Sequence, residues 1–156
     1  FESIAGVLGA LEYFEWLGET FGAEFEAQYA PYKGRRRTLK QAMAAMREYE
    51  FDLSRKLIDG LSSIKGLHVW GITDPKQMDQ RVPTVSFTLN GWQPRQVAEE
   101  LDKANIYVWD GNYYALAVME RLDLENKGGM LRVGAAHYNT VDEVDRLVEV
   151  VKKLAK

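Results

Sequence analysis

Apolar residues in the first third of the chain recur three and four positions apart, and from residue 67 the repeat shortens toward that of strands. Ile4, Val7, Leu8, Leu11 and Phe14 predict a helix over 4–17, with Ser3 as its N-cap and Gly18 as its stop. Ala5, Gly6, Gly9 and Ala10 give that helix a small-residue face. A helical glycine costs about 1 kcal/mol relative to alanine, so two of them point to close packing against another element. Residues 19–37 read as a mixed connector ending in Lys33-Gly34-Arg35-Arg36-Arg37. A longer helix is expected from Thr38, which forms a capping-box pattern with Gln41. Leu39, Met43, Met46, Leu53, Leu57, Leu61 and Ile64 keep its period to about residue 64, with both methionines as core filler, and Lys65-Gly66 ends it.

Strand patterns follow. Residues 67–72 and 82–89 are rich in β-branched and aromatic residues and are separated by a polar loop from Thr73 to Arg81. Val85, Phe87 and Leu89 alternate with Thr84, Ser86 and Thr88, which predicts one packed face and one wetter face. Pro94 opens a helix with Val97, Ala98 and Leu101 facing inward. A strand at 106–109, a short helix at about 113–122 and a strand at 130–136 come next. Thr140 and Glu143 repeat the capping box before a last helix whose stripe is Val144, Leu147, Val148, Val151 and Leu154. This order predicts an α+β fold: a small, antiparallel-rich sheet of about four strands covered by helices and preceded by two helices.

The 156-residue length suits one domain, or one domain with an appendage, and 46% apolar with 28% charged residues is ordinary globular composition. A net charge of −3 gives no reason to expect nucleic acid or an anionic membrane as partner. No apolar run approaches the ~18 residues of a membrane span, which makes a cytoplasmic location the expectation. The absence of cysteine removes disulfides, thiolate metal sites and a thiol nucleophile from this chain.

Two stretches carry candidate chemistry. Arg132 stands between Leu131 and Val133, and strand alternation turns it to the opposite face from both. A desolvated guanidinium needs an anionic partner, and its planar fork suits a carboxylate. That partner is either a bound ligand or one of the 23 acidic residues of the chain. Residues 109–114, Trp-Asp-Gly-Asn-Tyr-Tyr, form a turn that either builds a site with Asn112 and Tyr114 or packs the short helix as an aromatic corner. The two histidines, His68 and His137, do not make a metal site, although His137 lies close enough in sequence to share the Arg132 mouth. The basic run at 33–37 reads as a solvated face, with a phosphate grip as the alternative.

The run Ile-Tyr-Val-Trp-Asp-Gly-Asn-Tyr-Tyr-Ala at 106–115, followed by Leu-Arg-Val-Gly-Ala-Ala-His-Tyr-Asn-Thr-Val-Asp-Glu-Val-Asp-Arg-Leu at 131–147, resembles the C-terminal end of class V aminotransferases. The likeness is nearest their cysteine desulfurase-like branch. Residues 4–18 are similar to the helix that leaves that family's large domain, and Arg-Val-Pro-Thr-Val-Ser-Phe at 81–87 is similar to a small-domain strand. The resemblance implies a homodimeric pyridoxal 5'-phosphate enzyme of fold type I acting on an amino acid. It implies that Arg132 holds the substrate α-carboxylate, with Asn112 and Tyr114 beside the substrate. Tyr114 stands where true desulfurases carry the persulfide-forming cysteine, and Trp109 replaces an arginine. The resemblance also puts the Schiff-base lysine, the aspartate facing the pyridine nitrogen and the ring-stacking residue upstream of residue 1. This chain then contains no catalytic or cofactor-binding residue, is not expected to hold the cofactor by itself, and is inactive alone. The implied organisation is a helix and connector over 1–37 and a small α/β domain over 38–156. The opening on Phe-Glu-Ser-Ile, with no methionine, fits such a piece. The competing reading is a free-standing α+β module that binds a small ligand or a protein partner.

Overall fold

The computed structural model describes residues 1–155. The chain divides into two compact units, Phe1–Tyr49 and Glu50–Lys156.

In the first unit α1 runs from Glu2–Phe21 and continues through Gly18. Gly18 is a packing residue rather than a stop: a Cβ there would lie 2.2 Å from the Thr38 carbonyl oxygen. The helix ends at Gly22, and its N-cap is Phe1, without the side-chain cap expected of Ser3. α2, Gly34–Ser62, starts one turn before Thr38, so the predicted capping box does not form. The Gln41 amide instead donates to the Gly22 carbonyl at 3.3 Å. The basic run supplies this first turn. Arg35 pairs with Glu15 at 2.5 Å, Arg37 with Glu26, and Arg36 lies over the Tyr32 ring. Arg35 and Arg37 therefore serve local ion pairs, and Arg36 a ring contact. Leu17, Ala42 and Met46 form the small core of this unit, while Met43, expected as filler, is exposed. Ile4, Val7 and Leu8 are exposed, and added Cβ atoms at Gly6 and Gly9 would meet nothing within 4 Å.

The second unit is the α+β layer. Four strands, β1 (Leu67–Trp70), β2 (Thr84–Leu89), β3 (Trp109–Gly111) and β4 (Met130–Gly134), form one sheet in the order β1-β2-β4-β3 with every neighbour antiparallel. Helices α3 (Pro94–Lys103), α4 (Leu116–Arg121) and α5 (Val141–Leu154) complete it. Val69, Val85, Phe87, Leu89, Leu131 and Val133 project from one face into a core shared with Leu57, Leu61, Val97, Leu101, Leu147 and Val151. The alternation in β2 is realised, with Val85 and Phe87 fully buried. Arg81 closes the β1–β2 loop by donating to the carbonyls of Ile72, Val82 and Thr84.

The third strand departs from its expected span. Residues 106–108 pack Ile106 and Val108 against the core without joining the ladder, which begins at Trp109. The cause is the turn after α3. Asn105 adopts φ +55°, and the Ile106 amide bonds back to the Leu101 carbonyl, so the chain reaches the sheet edge three residues late. The last helix follows its sequence pattern: Thr140 accepts from the Glu143 amide at 3.3 Å, and Glu143 accepts from the Thr140 amide at 2.8 Å.

Candidate functional site

The register of the sheet aligns Trp70, Ser86, Arg132 and Trp109 as direct cross-strand partners, one from each strand. Since Val85 and Leu131 point into the core, this row lies on the opposite face. A second, smaller cluster shields part of that face: Met119, Leu124 and Met130, with Trp70, Tyr113 and Leu122 against it.

Arg132 is half-buried, with its guanidinium carbon 5.1 Å from the Trp109 ring centroid and 4.9 Å from that of Tyr113. Among the described residues no carboxylate pairs with it, although Asp110 lies one residue from its ladder partner. Alternation turns Asp110 away, and it pairs with Arg95 at 3.4 Å. Tyr113 is fixed on several sides. Its hydroxyl donates to the Met130 carbonyl, and its ring joins the apolar cluster around Met119. Burial pushes the phenol well above the ordinary tyrosine range, against the opposing pull of the Arg132 charge and a hydrogen bond with Ser86. The hydroxyl therefore remains protonated and donating.

Asn112 and Tyr114 sit differently. The Asn112 amide donates to Glu125 at 3.3 Å, and its carbonyl accepts from the Tyr114 amide at 3.1 Å, so the side chain staples the turn. Tyr114 is 96% exposed, and its ring reaches solvent rather than Arg132. The aromatic partners of the guanidinium are Trp109 and Tyr113 instead. Trp109, Asp110, Asn112, Tyr114 and Glu125 line an open hollow of about 430 Å³ whose lining does not include Arg132. His137 is held by Glu50, whose carboxylate accepts from its amide at 3.0 Å and lies 3.2 Å from Nδ1. His68 is exposed and packs edge-on to Trp70. Among the described residues no grouping of His, Cys, Asp or Glu could hold a metal, and no helix is long and apolar enough to cross a membrane.

The donor set is therefore one guanidinium in contact with two rings. It fits a planar anion. Neither the hollow beside the 109–114 turn nor the one beside α5 is lined by a lysine that could bond an aldehyde cofactor.

A helix-covered, four-stranded antiparallel sheet with an arginine on its open face defines the class as an α+β small domain. Residues 36–147 match the family model for aminotransferase class-V, and the chain belongs to that family of pyridoxal-phosphate-dependent proteins. It is 37% identical over 106 residues to a probable cysteine desulfurase 2 of Mycobacterium leprae, covering 68% of this chain and 24% of that protein. An aminotransferase-like protein of Gibberella zeae is 33% identical over 110 residues, covering 70% of this chain and 27% of that one. The apo structure of a cysteine desulfurase from Thermococcus onnurineus superposes with a TM-score of 0.66 at 26% identity, over 78% of this chain and 28% of the other. The chain spans about a quarter of the length of the curated relatives it matches.

Proposed function

We propose that this chain is the C-terminal small domain of a pyridoxal-phosphate-dependent class V enzyme acting on an amino acid, and that Arg132 receives the substrate's α-carboxylate. The observation that carries this reading is a half-buried arginine in mid-sheet, held by two rings and lacking a carboxylate partner among the described residues. Ring faces occupy the flat sides of a guanidinium and leave its N–H edge to make paired hydrogen bonds to a carboxylate. Family membership favours this reading over a free-standing module.

In the same reading, residues 1–37 form the helix and connector leaving a large domain, and 38–156 form the small domain. The cofactor belongs to that large domain, since this chain offers its aldehyde no lysine at the hollows flanking the sheet. The whole protein is a cytoplasmic homodimer, and this chain by itself is inactive. With Tyr114 at the position the resemblance gives to the persulfide cysteine, and no cysteine in the chain, this loop offers no thiol to accept sulfur in the usual way, which speaks against desulfurase activity. Another amino-acid conversion, such as transamination, β-elimination or racemisation, is the proposed activity.

The test compares L-alanine with ethylamine, which lacks the carboxylate, in calorimetric titrations of the full-length protein and its Arg132→Ala variant. The wild type is expected to prefer L-alanine, and the variant to lose about 1.5–3 kcal/mol of that preference, the range for a hydrogen bond to a charged group. Equal affinity of both proteins for L-alanine removes Arg132 from the site.

A further inference from the structure

An arginine that must meet a flat anion gains nothing from its fork unless the fork is held in one orientation. In water a four-torsion side chain samples many rotamers, and each must be given up on binding. Arg132 has a device on each side that limits this freedom. Trp109 is its direct ladder partner across β3·β4, so the indole and the guanidinium rise from the same face at adjacent positions. Tyr113 supplies the other wall, and that wall is rigid. Its backbone sits at φ +54°, its hydroxyl is tied to the Met130 carbonyl, and its ring packs on the Met119, Leu124 and Met130 cluster. Trp109, by contrast, is 54% exposed and has fewer neighbours to hold it.

We propose that Tyr113 and Trp109 are positioning residues, an anchored and an exposed aromatic jaw, that hold the Arg132 guanidinium edge-outward for bidentate capture of a planar carboxylate. The proposal rests on the reading of Arg132 as the carboxylate ligand. It adds that the site's affinity for a bare carboxylate depends on two rings that do not themselves bond it. It also makes Arg132 irreplaceable by lysine, whose ammonium is a compact point charge with neither the planar face nor the fork.

The experiment uses the full-length protein with isotope-labelled arginine, observed by NMR, and propionate as probe. Stacking on two rings should shift the Arg132 Nε–H resonance away from those of exposed arginines. Trp109→Leu should return it toward them and weaken propionate binding roughly 3- to 30-fold, the scale of a cation–π contact between exposed and desolvated settings. Trp109→Phe should restore most of both. Tyr113→Phe keeps the ring and removes the phenol anchor, so it should broaden the resonance with a smaller loss of affinity, and it serves if Trp109→Leu does not fold. If propionate binding depends on Arg132 yet both ring variants bind as tightly as wild type, the jaw proposal is overturned and the carboxylate reading stands. If propionate binding is unaltered in Arg132→Lys and Arg132→Ala, both fall together.

Discussion

Tyr113 shows opposing forces meeting at one side chain. Burial favours the neutral phenol, while the Arg132 charge and the Ser86 hydroxyl favour the phenolate, and burial wins. The consequence for pH has a definite sign. A group whose folded pKa lies above its unfolded value of about 10 stabilises the fold fully below that pH. The stabilisation then drains away as pH rises from about 10 toward the folded value. Urea denaturation at a series of alkaline pH values should show wild-type stability falling beyond about pH 10, with a shallower fall in Tyr113→Phe. Parallel curves for the two proteins would contradict this account. At this scale Arg132 was legible from its neighbours, because Leu131 and Val133 set the strand alternation that turns it to the open face. The choice between Tyr113 and Tyr114 was not legible. Both residues have positive φ, +54° and +60°, so no period applies, and only the position of the Met119 cluster decides which ring turns in.

Among the elements, those with local start and stop chemistry were readable. α5 begins at its capping box, and α3 has Pro94 in its first turn, where the Gln96 side chain accepts from the Gln93 amide at 3.0 Å. β3 starts later than its pattern predicts because Asn105, a non-glycine residue at φ +55°, turns the chain back onto α3 with no local sequence signal. Gly129, φ +79°, lies so near β3 that a Cβ would stand 2.2 Å from the Gly111 carbonyl oxygen. Gly129→Ala combines a disfavoured φ with that collision, so it should cost about 1–3 kcal/mol in denaturant melts. It should also weaken the β3·β4 pairing that places Trp109 beside Arg132. Full wild-type stability in this variant would show that the loop can shift without penalty. The start of α2 was misjudged for a related reason. The Thr38–Gln41 pattern is a valid cap in isolation, but the ion pairs of Arg35 and Arg37 extend the helix through it.

In the molecule as a whole, the Glu50–Lys156 unit is organised by one sheet with two chemically distinct faces. Phe87 is fully buried at the centre of the packed face and sits one residue from Ser86, the neighbour of Arg132 on the open one. Phe87→Ala should therefore destabilise this unit by about 3–5 kcal/mol, read as a lowered denaturation midpoint. A loss below about 1 kcal/mol would mean the core can collapse around the missing ring. The periodicities of 3.6 and 2, the caps and the turn residues determined which segments are helix or strand and which side chains face inward, because those preferences act between residues a few positions apart. Only the tertiary structure decided that Arg132 meets Trp109 and Tyr113 rather than an acid among the described residues, that Asp110 is drawn to Arg95, and that Asn112 staples the turn. Those pairings follow from strand order and register, which bring together groups whose separation along the chain carries no local signal.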